Sequence, residues 1–199
     1  MTEAETKPFP EHLRMPATPV LETARLILRP IRERDIAAFH RLFAHWDVVK
    51  YLSAAVPWPL PDGDPEAAMA DTLVRMARRE RCSWALTLNG DDDLVGRIDL
   101  WADDGVSRDQ RGFWLGRPYW GRGLMTEAAD RVTDYALVEL GWPRLWLCNA
   151  EINAASHRLK EKQGATIVGR TPCDYVYGAG VRVTWELTRE AWLARRDRA

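Results

Sequence analysis

Two glycines separated by one arginine are the residues best suited to bind a charged ligand. They lie in RPYWGRGLMTEAADRV, residues 117–132, where a predicted strand gives way to a helical pattern. Glycine lets a turn approach a ligand closely with its backbone. The N–H groups of a glycine-rich turn that opens a helix bind anions, and the helix dipole favours negative charge there. Gly121 and Gly123 therefore favour a diphosphate as ligand.

Two familiar phosphate-binding motifs do not fit this turn. A Walker loop requires Gly-x-x-x-x-Gly-Lys-Ser/Thr, and the sequence contains no Gly-Lys pair. A dinucleotide fingerprint requires Gly-x-Gly-x-x-Gly, but Thr126 stands at the third glycine position. A tight turn without a ligand stays open as the alternative for this segment taken by itself.

Hydrophobic periodicity predicts an α/β arrangement around the turn. Alternating apolar residues predict strands, the last of them running from Val181 to Leu187. Apolar residues at helical spacing predict a long helix that Gly141 ends. The predicted strands cover residues 23–30, 83–88, 95–101, 109–116, 144–148, 165–173 and 181–187, and the predicted helices cover residues 33–45, 65–79, 126–140 and 153–163.

The order of six segments along the chain is more specific than any single motif. These segments are LETARLILRPIRERDIAAFHRLF, RGFWLGRPYWGRG, LMTEAADRVTDYALVELGW, RLWLCN, NAASHRLKEKQGA and TWELTREAW. Together they resemble the GNAT family of acyl-CoA-dependent N-acetyltransferases, and most of all its RimJ/RimL branch. The resemblance implies an α/β (α+β) GNAT fold, with a single central, mixed, mostly antiparallel, twisted sheet of about seven strands flanked by about four helices. We expect residues 21–199 to form one such domain, after an extended, proline-marked arm at residues 1–20.

The resemblance implies that acetyl-CoA binds as co-substrate along the glycine turn and the strand before it. In the family, the turn amides hold the pyrophosphate and the main chain of the strand pairs with the pantetheine arm, much as a peptide adds to a sheet edge. Asn153 matches a residue that contacts pantetheine, and capping of the following helix is its alternative role. The residues so assigned to acetyl-CoA are Phe113, Trp114, Leu115, Gly121, Arg122, Gly123, Leu124, Met125, Thr126, Asn153 and Ser156.

The implied reaction is the direct attack of a primary amine on the thioester in a ternary complex. Such a reaction needs a neutral amine, a donor to the oxyanion and a proton for the departing thiolate. By the resemblance, the backbone N–H of Leu115 is the oxyanion donor and Ser156 protonates the sulfur. Gln110 completes the catalytic candidates, since it stands where many relatives carry a glutamate. The general base is left open, because Cys148 and Lys160 also replace acidic and tyrosine residues of the family.

The acceptor is a protein N-terminal α-amine or the amine of a small molecule. At pH 7 about 10% of α-amines are neutral, against roughly one lysine in 2,500, so a site without a strong base suits α-amines. Four of the ten tryptophans are expected to bind the acceptor, with core packing as their alternative role: Trp46, Trp58, Trp101 and Trp146. A catalytically silent acyl-CoA-binding or sensing module is the alternative function.

Composition and charge exclude several other functions. With 199 residues, 46% of them hydrophobic and 29% charged, the chain fits one globular domain. A net charge of −1 gives no reason to expect nucleic acid, and neither a membrane span nor a signal peptide is recognisable. The three cysteines and four histidines lack metal-ligand spacing. We therefore expect no metal, no membrane or nucleic-acid partner and a cytoplasmic location, with a homodimer as one open oligomeric state.

Overall fold

Alternating apolar residues form the strands of two antiparallel sheets in the computed structural model, which describes residues 9–196. The first sheet has the strand order β1-β2-β3-β4-β5, and the second has the order β6-β8-β7. The strands are β1 (Leu21–Glu22), β2 (Leu26–Pro30), β3 (Cys82–Leu88), β4 (Gly96–Leu100), β5 (Arg111–Leu115), β6 (Arg144–Ala150), β7 (Thr166–Tyr175) and β8 (Gly178–Thr188).

The helices pack on both faces of the first sheet and against the second. A single π-helical turn, Tyr135–Glu139, continues the fourth helix. Short 3₁₀ turns lie at Glu11–Leu13, Glu33–Asp35 and Arg117–Tyr119. The α-helices are α1 (Ile36–Phe43), α2 (Trp46–Val49), α3 (Asp64–Ala77), α4 (Leu124–Asp134), α5 (Ala154–Gln163) and α6 (Arg189–Arg196).

Helix α4 joins the two sheets through one apolar core. Its inner stripe, which includes Ala129 and Val132, is fully buried in a cluster with Leu86 of β3, Leu147 of β6 and Trp185 of β8. A second cluster lies on the other face of the first sheet, where the aromatic rings of α1 pack against β5. Strand β5 is thus held from both faces, which fixes its main chain at the edge of the first sheet.

The predicted sheet divides in two at β5 and β6. Gln110 N donates to Trp146 O at 2.9 Å, and Trp146 N donates to the Gln110 side chain at 2.8 Å. Beyond this point the strands part and belong to separate sheets. The predicted α/β class and the order of the predicted elements are confirmed, and the predicted central sheet is present as two antiparallel sheets of five and three strands that meet at this point.

Residues 9–20 pack along β3. Met15 is buried and its N–H donates to Arg79 O at 2.7 Å, while the indole of Trp84 donates to Pro19 O at 2.7 Å. Residues 1–8 of the predicted arm and residues 197–199 of the predicted domain lie outside the described residues. Within residues 9–196, no helix is long and apolar enough to cross a membrane.

Candidate active site

A cavity of about 750 Å³ lies between β5 and α5. Its wall is formed by α2 and the residues after it, by β5 with the glycine turn, and by α5 with the residues before it. Of the residues that the sequence assigns to acetyl-CoA, all except Arg122 line this cavity. The structure thus brings the assigned residues together in one wall, and their contact with a ligand stays a prediction.

The glycine turn has a backbone conformation that other residues rarely adopt. Gly121 has φ +75° and Gly123 has φ +74°, both in the left-handed region. Gly123 is the N-cap of α4, and the first N–H groups of a helix lack intrahelical acceptors. The next three residues, Leu124, Met125 and Thr126, line the cavity. The turn therefore presents helix-start amides to the cavity, the arrangement that binds a phosphate group.

A polar cluster that the sequence reading missed supports this turn. Glu127 Oε1 accepts hydrogen bonds from Thr23 Oγ1 at 2.6 Å and from Arg25 N at 2.8 Å. The Arg25 guanidinium donates to Glu127 Oε2 at 2.6 Å and to Arg122 O at 2.8 Å. An acidic residue in the first turn of a helix is common, so nothing in the sequence indicated this contact with the segment between β1 and β2.

One carbonyl of β5 already has a donor in the structure. The indole of Trp120 donates to Leu115 O at 2.7 Å, and Trp120 itself lines the cavity.

Asn153 caps helix α5, as its alternative role predicted, because Asn153 Oδ1 accepts a hydrogen bond from Ser156 N at 3.1 Å. Any contact of Asn153 with pantetheine is in addition to that cap.

Ser156 has a buried partner one helical turn further along α5. Lys160 Nζ donates to Ser156 Oγ at 2.7 Å, and the Lys160 side chain is only 2% exposed. Ser156 lines the cavity and Lys160 does not. The i, i+4 spacing of the two residues was the sequence signal for this contact, since such residues share a helix face.

Two charged groups near this pair, Asp109 and the buried Arg111, affect the pKa of Lys160. Burial, followed by repulsion from Arg111, lowers the pKa of Lys160 to about 7, against the opposite effects of Asp109 and Cys148. Burial likewise raises the pKa of Asp109 to about 6, opposed mainly by Arg182. Burial also lowers the pKa of Arg111 to about 10. The ammonium of Lys160 therefore loses its proton far more easily than that of an exposed lysine.

Gln110 and Cys148 have structural partners and lie outside the cavity wall. The buried Gln110 side chain accepts the hydrogen bond from Trp146 N that joins β6 to the start of β5. Cys148 Sγ accepts from Arg182 Nε at 2.9 Å, and burial raises the pKa of its thiol. The Gln110 side chain is thus engaged at the strand junction, and its catalytic role stays a prediction.

The four predicted acceptor tryptophans form two separate groups, and none lines the cavity. Trp46 and Trp58 contact each other with ring centroids 5.8 Å apart, and they are 41% and 39% exposed. Trp101 packs over Gly112, and the Trp146 indole donates to Asp103 at 3.0 Å. The acceptor role of these tryptophans stays a prediction, and of the four only Trp46 is next to a residue that lines the cavity, Asp47.

Among the described residues, Asp47 alone contributes a carboxylate to the wall of the cavity. It accepts a hydrogen bond from Lys50 Nζ at 2.8 Å and lies 3.3 Å from the Arg117 guanidinium. The Lys50 hydrogen bond lowers the pKa of Asp47. A carboxylate so paired is a weak base, and the cavity therefore lacks a carboxylate suited to deprotonate an amine.

Comparison with known proteins identifies the class of enzyme to which this cavity belongs. The family model described as acetyltransferase (GNAT) domain matches residues 25–166. The N-acetyltransferase YoaA of Bacillus subtilis (strain 168), itself uncharacterized, is 27% identical over 148 residues, which cover 73% of this chain and 82% of YoaA. The chain therefore belongs to the GNAT family and is an acetyl-CoA-dependent acetyltransferase.

Solved structures agree with this fold. An acetyltransferase (GNAT family) from Bacillus anthracis has a TM-score of 0.71 and 22% identity, covering 86% of this chain and 99% of its own. The ribosomal L7/L12 alpha-N-protein acetyltransferase RimL, solved in complex with coenzyme A, has a TM-score of 0.73 and 15% identity over 87% of this chain and 99% of its own. At these identities the likeness is one of fold. Within the described part of the chain, no group of His, Cys, Asp and Glu residues is arranged to hold a metal ion.

Proposed function

We propose that this enzyme transfers an acetyl group from acetyl-CoA to a weakly basic primary amine, with a protein N-terminal α-amine as the acceptor. The observation that supports this proposal is the charge distribution of the cavity wall. Among the described residues Asp47 is the one carboxylate of that wall, and it already pairs with Lys50 and Arg117. A site of this kind cannot readily deprotonate an amine with the basicity of lysine. An α-amine, about 10% neutral at pH 7, needs no such help.

The wall of the cavity supports a division of roles along its length. The glycine turn holds the pyrophosphate of acetyl-CoA with its helix-start amides, and the exposed cations Arg158 and Lys162 of α5 add positive charge beside it. The amine enters from the opposite side, past α2 and the residues after it. RimL, a neighbour in fold, is a ribosomal L7/L12 alpha-N-protein acetyltransferase, which agrees with this choice of acceptor.

Transfer proceeds by direct attack in the ternary complex. The neutral amine attacks the thioester carbon, and the backbone N–H of Leu115 donates to the oxygen as it gains negative charge. The carbon–sulfur bond then breaks, and Ser156 supplies a proton to the departing thiolate. Ser156 is suited to this step because its hydroxyl reaches the cavity while its oxygen accepts a hydrogen bond from Lys160.

Release of free thiol from acetyl-CoA tests the proposal directly. The purified protein is supplied at pH 7 with matched peptides that carry either a free α-amine and no lysine, or a blocked N-terminus and one lysine. We expect thiol release with the first peptide and little with the second, since their neutral fractions differ by more than about 100-fold. Equal rates would contradict the α-amine preference. Binding of acetyl-CoA without thiol release over peptides and small amines would instead identify a silent acyl-CoA-binding module.

A further inference from the structure

Lys160 is a buried cation without a carboxylate partner. Lys160 belongs to α5 and is only 2% exposed, and no salt bridge within the described residues includes its ammonium. Its hydrogen bond goes to Ser156 Oγ at 2.7 Å, and the ring of Phe113 lies 5.6 Å from the nitrogen. Burying an ammonium in this way is costly. A role in the chemistry is one reason to retain it.

The charged and titratable groups near Lys160 come from the segment before β5 and from three strands. Asp109 precedes β5, Arg111 begins it, and Cys148 lies on β6. Arg182 of β8 completes the surroundings, since it donates to Cys148 Sγ and lies 4.0 Å from Asp109. Burial and Arg111 favour the neutral amine, whereas Asp109 and Cys148 favour the ammonium, and the pKa of Lys160 is about 7 as a result.

Ser156 stands between Lys160 and the cavity. The serine lines the cavity wall, and the lysine lies behind it without reaching the wall. We propose that Lys160 is a positioning residue that orients the Ser156 hydroxyl and replaces the proton that Ser156 passes to the sulfur of coenzyme A. This inference rests on the proposed function, because it requires a thiolate leaving group in the cavity.

The proposed step balances without any further reactant. The amine nitrogen forms a bond to the acetyl carbon, and the carbon–sulfur bond breaks with its electron pair on sulfur. The Ser156 hydroxyl gives its proton to that sulfur, and the Lys160 ammonium gives a proton to the Ser156 oxygen. The proton lost by the acetylated nitrogen then returns through cavity water and Ser156 to Lys160. The net change is amine plus acetyl-CoA to amide plus free thiol.

Lys160→Met tests the proposal, because methionine keeps the length and removes the proton. We expect kcat to fall about 100-fold, at the low end of what general acid catalysis contributes, with little change in the KM for acetyl-CoA. In the unaltered enzyme kcat should decline as the pH rises through about 7, since only the ammonium can give a proton. Lys160→Met should lose that decline. Lys162→Met is the matched control, and this exposed lysine of the cavity wall should affect the KM for acetyl-CoA while keeping the decline.

A double-mutant cycle distinguishes action through Ser156 from a general effect on the site. If Lys160 acts through the serine, Ser156→Ala with Lys160→Met should lose no more kcat than Ser156→Ala does. Fully additive losses, or a full kcat in Lys160→Met, would overturn the inference. If Lys160→Met fails to fold, the test is the pH dependence of kcat in the unaltered enzyme and in Ser156→Ala. The same decline of kcat above pH 7 in both proteins would contradict the inference. Absence of thiol release from the unaltered enzyme would refute the proposed function instead.

Discussion

Arg25 and Glu127 connect the start of the first sheet to the first turn of α4. The Arg25 guanidinium donates to Glu127 Oε2 at 2.6 Å and to Arg122 O at 2.8 Å, inside the glycine turn. Glu127 also accepts from Thr23 and from the backbone of Arg25. The conformation of the turn thus depends on an ion pair that does not itself line the cavity.

Weakening this ion pair should loosen the hold of the turn on acetyl-CoA. Glu127→Gln removes the charge and leaves the shape, and a hydrogen bond to a charged group contributes about 1.5–3 kcal/mol. Since Arg25 is half-exposed, we expect the lower end, an increase of about tenfold in the Kd for acetyl-CoA measured by calorimetry. Glu139→Gln, which breaks the exposed pair with Arg131 at the other end of the helix, is the control. An unchanged Kd in Glu127→Gln would show that the turn needs no such support.

A second prediction compares two glycines with the same backbone conformation. Gly123 has φ +74° and lies in the cavity wall, whereas Gly141 has φ +70° and lies outside it. Alanine at either position should cost about 1–3 kcal/mol of unfolding free energy. At a hundredfold excess over Kd, acetyl-CoA should stabilise the unaltered protein and Gly141→Ala by about 2.7 kcal/mol, and Gly123→Ala by much less. Equal stabilisation of the two variants, by thermal unfolding, would remove Gly123 from the binding site.

The sequence predicted those parts of the fold that depend on local pattern. The alternation in β8 and the stripe of α4 are properties of neighbouring residues, and both follow from the burial of one face. The glycine turn was equally visible, because left-handed φ values select for glycine. The division of the sheet was not visible, since it depends on how far β5 and β6 part after the Gln110–Trp146 contact. A short α2 and the C-terminal α6 were missed as well.

The site was harder to predict, because side-chain direction is decided by distant packing. Trp101 was expected at the acceptor, yet its ring packs over Gly112 and does not line the cavity. Gln110 was expected to be catalytic, yet its side chain is held by the backbone of Trp146. Lys160 could have been found, because its spacing from Ser156 is a helical one. The burial of Lys160 could not be predicted, since it depends on how α5 packs against β5.

The third prediction is a pH dependence of stability that is due to Lys160. Its pKa is about 7 in the folded protein and about 10.4 in an unfolded chain. Between these values the unfolded state binds more protons, so the unfolding free energy rises with pH, by at most about 1.4 kcal/mol per unit. Below pH 7 both states are protonated and the contribution is flat.

The difference between the unaltered protein and Lys160→Met isolates this group from the other titrations. Urea unfolding at pH 6, 7, 8 and 9 should give a difference in unfolding free energy that is constant up to pH 7 and then shifts in favour of the unaltered protein. A difference that stays constant to pH 9 would mean that Lys160 remains an ammonium in the fold. That outcome would also remove the pH argument for its role beside Ser156.

The last prediction concerns the tryptophan pair beside α2. The rings of Trp46 and Trp58 contact each other, and about two-fifths of each side chain is exposed to solvent. Neither ring lines the cavity, but Asp47, the next residue after Trp46, does. An exposed pair of large apolar rings at the rim of a cavity is suited to bind the residues of a peptide that follow its N-terminus. The prolines around Trp58 limit the freedom of that segment, so little entropy is lost on binding.

Trp46→Ala should therefore raise the KM for a peptide acceptor about tenfold, equivalent to the loss of about 1.4 kcal/mol of binding, while the Kd for acetyl-CoA stays unchanged. A small amine without a peptide chain should be unaffected, because it does not reach the rim. Trp192→Ala is the matched control, since Trp192 is 1% exposed and its indole donates to Asp134. That variant should instead lose about 3–5 kcal/mol of stability, measured by urea unfolding, as for other buried aromatic residues. If Trp46→Ala and Trp58→Ala lower only stability and leave the peptide KM unchanged, the pair covers the core beneath α2 and has no part in binding the acceptor.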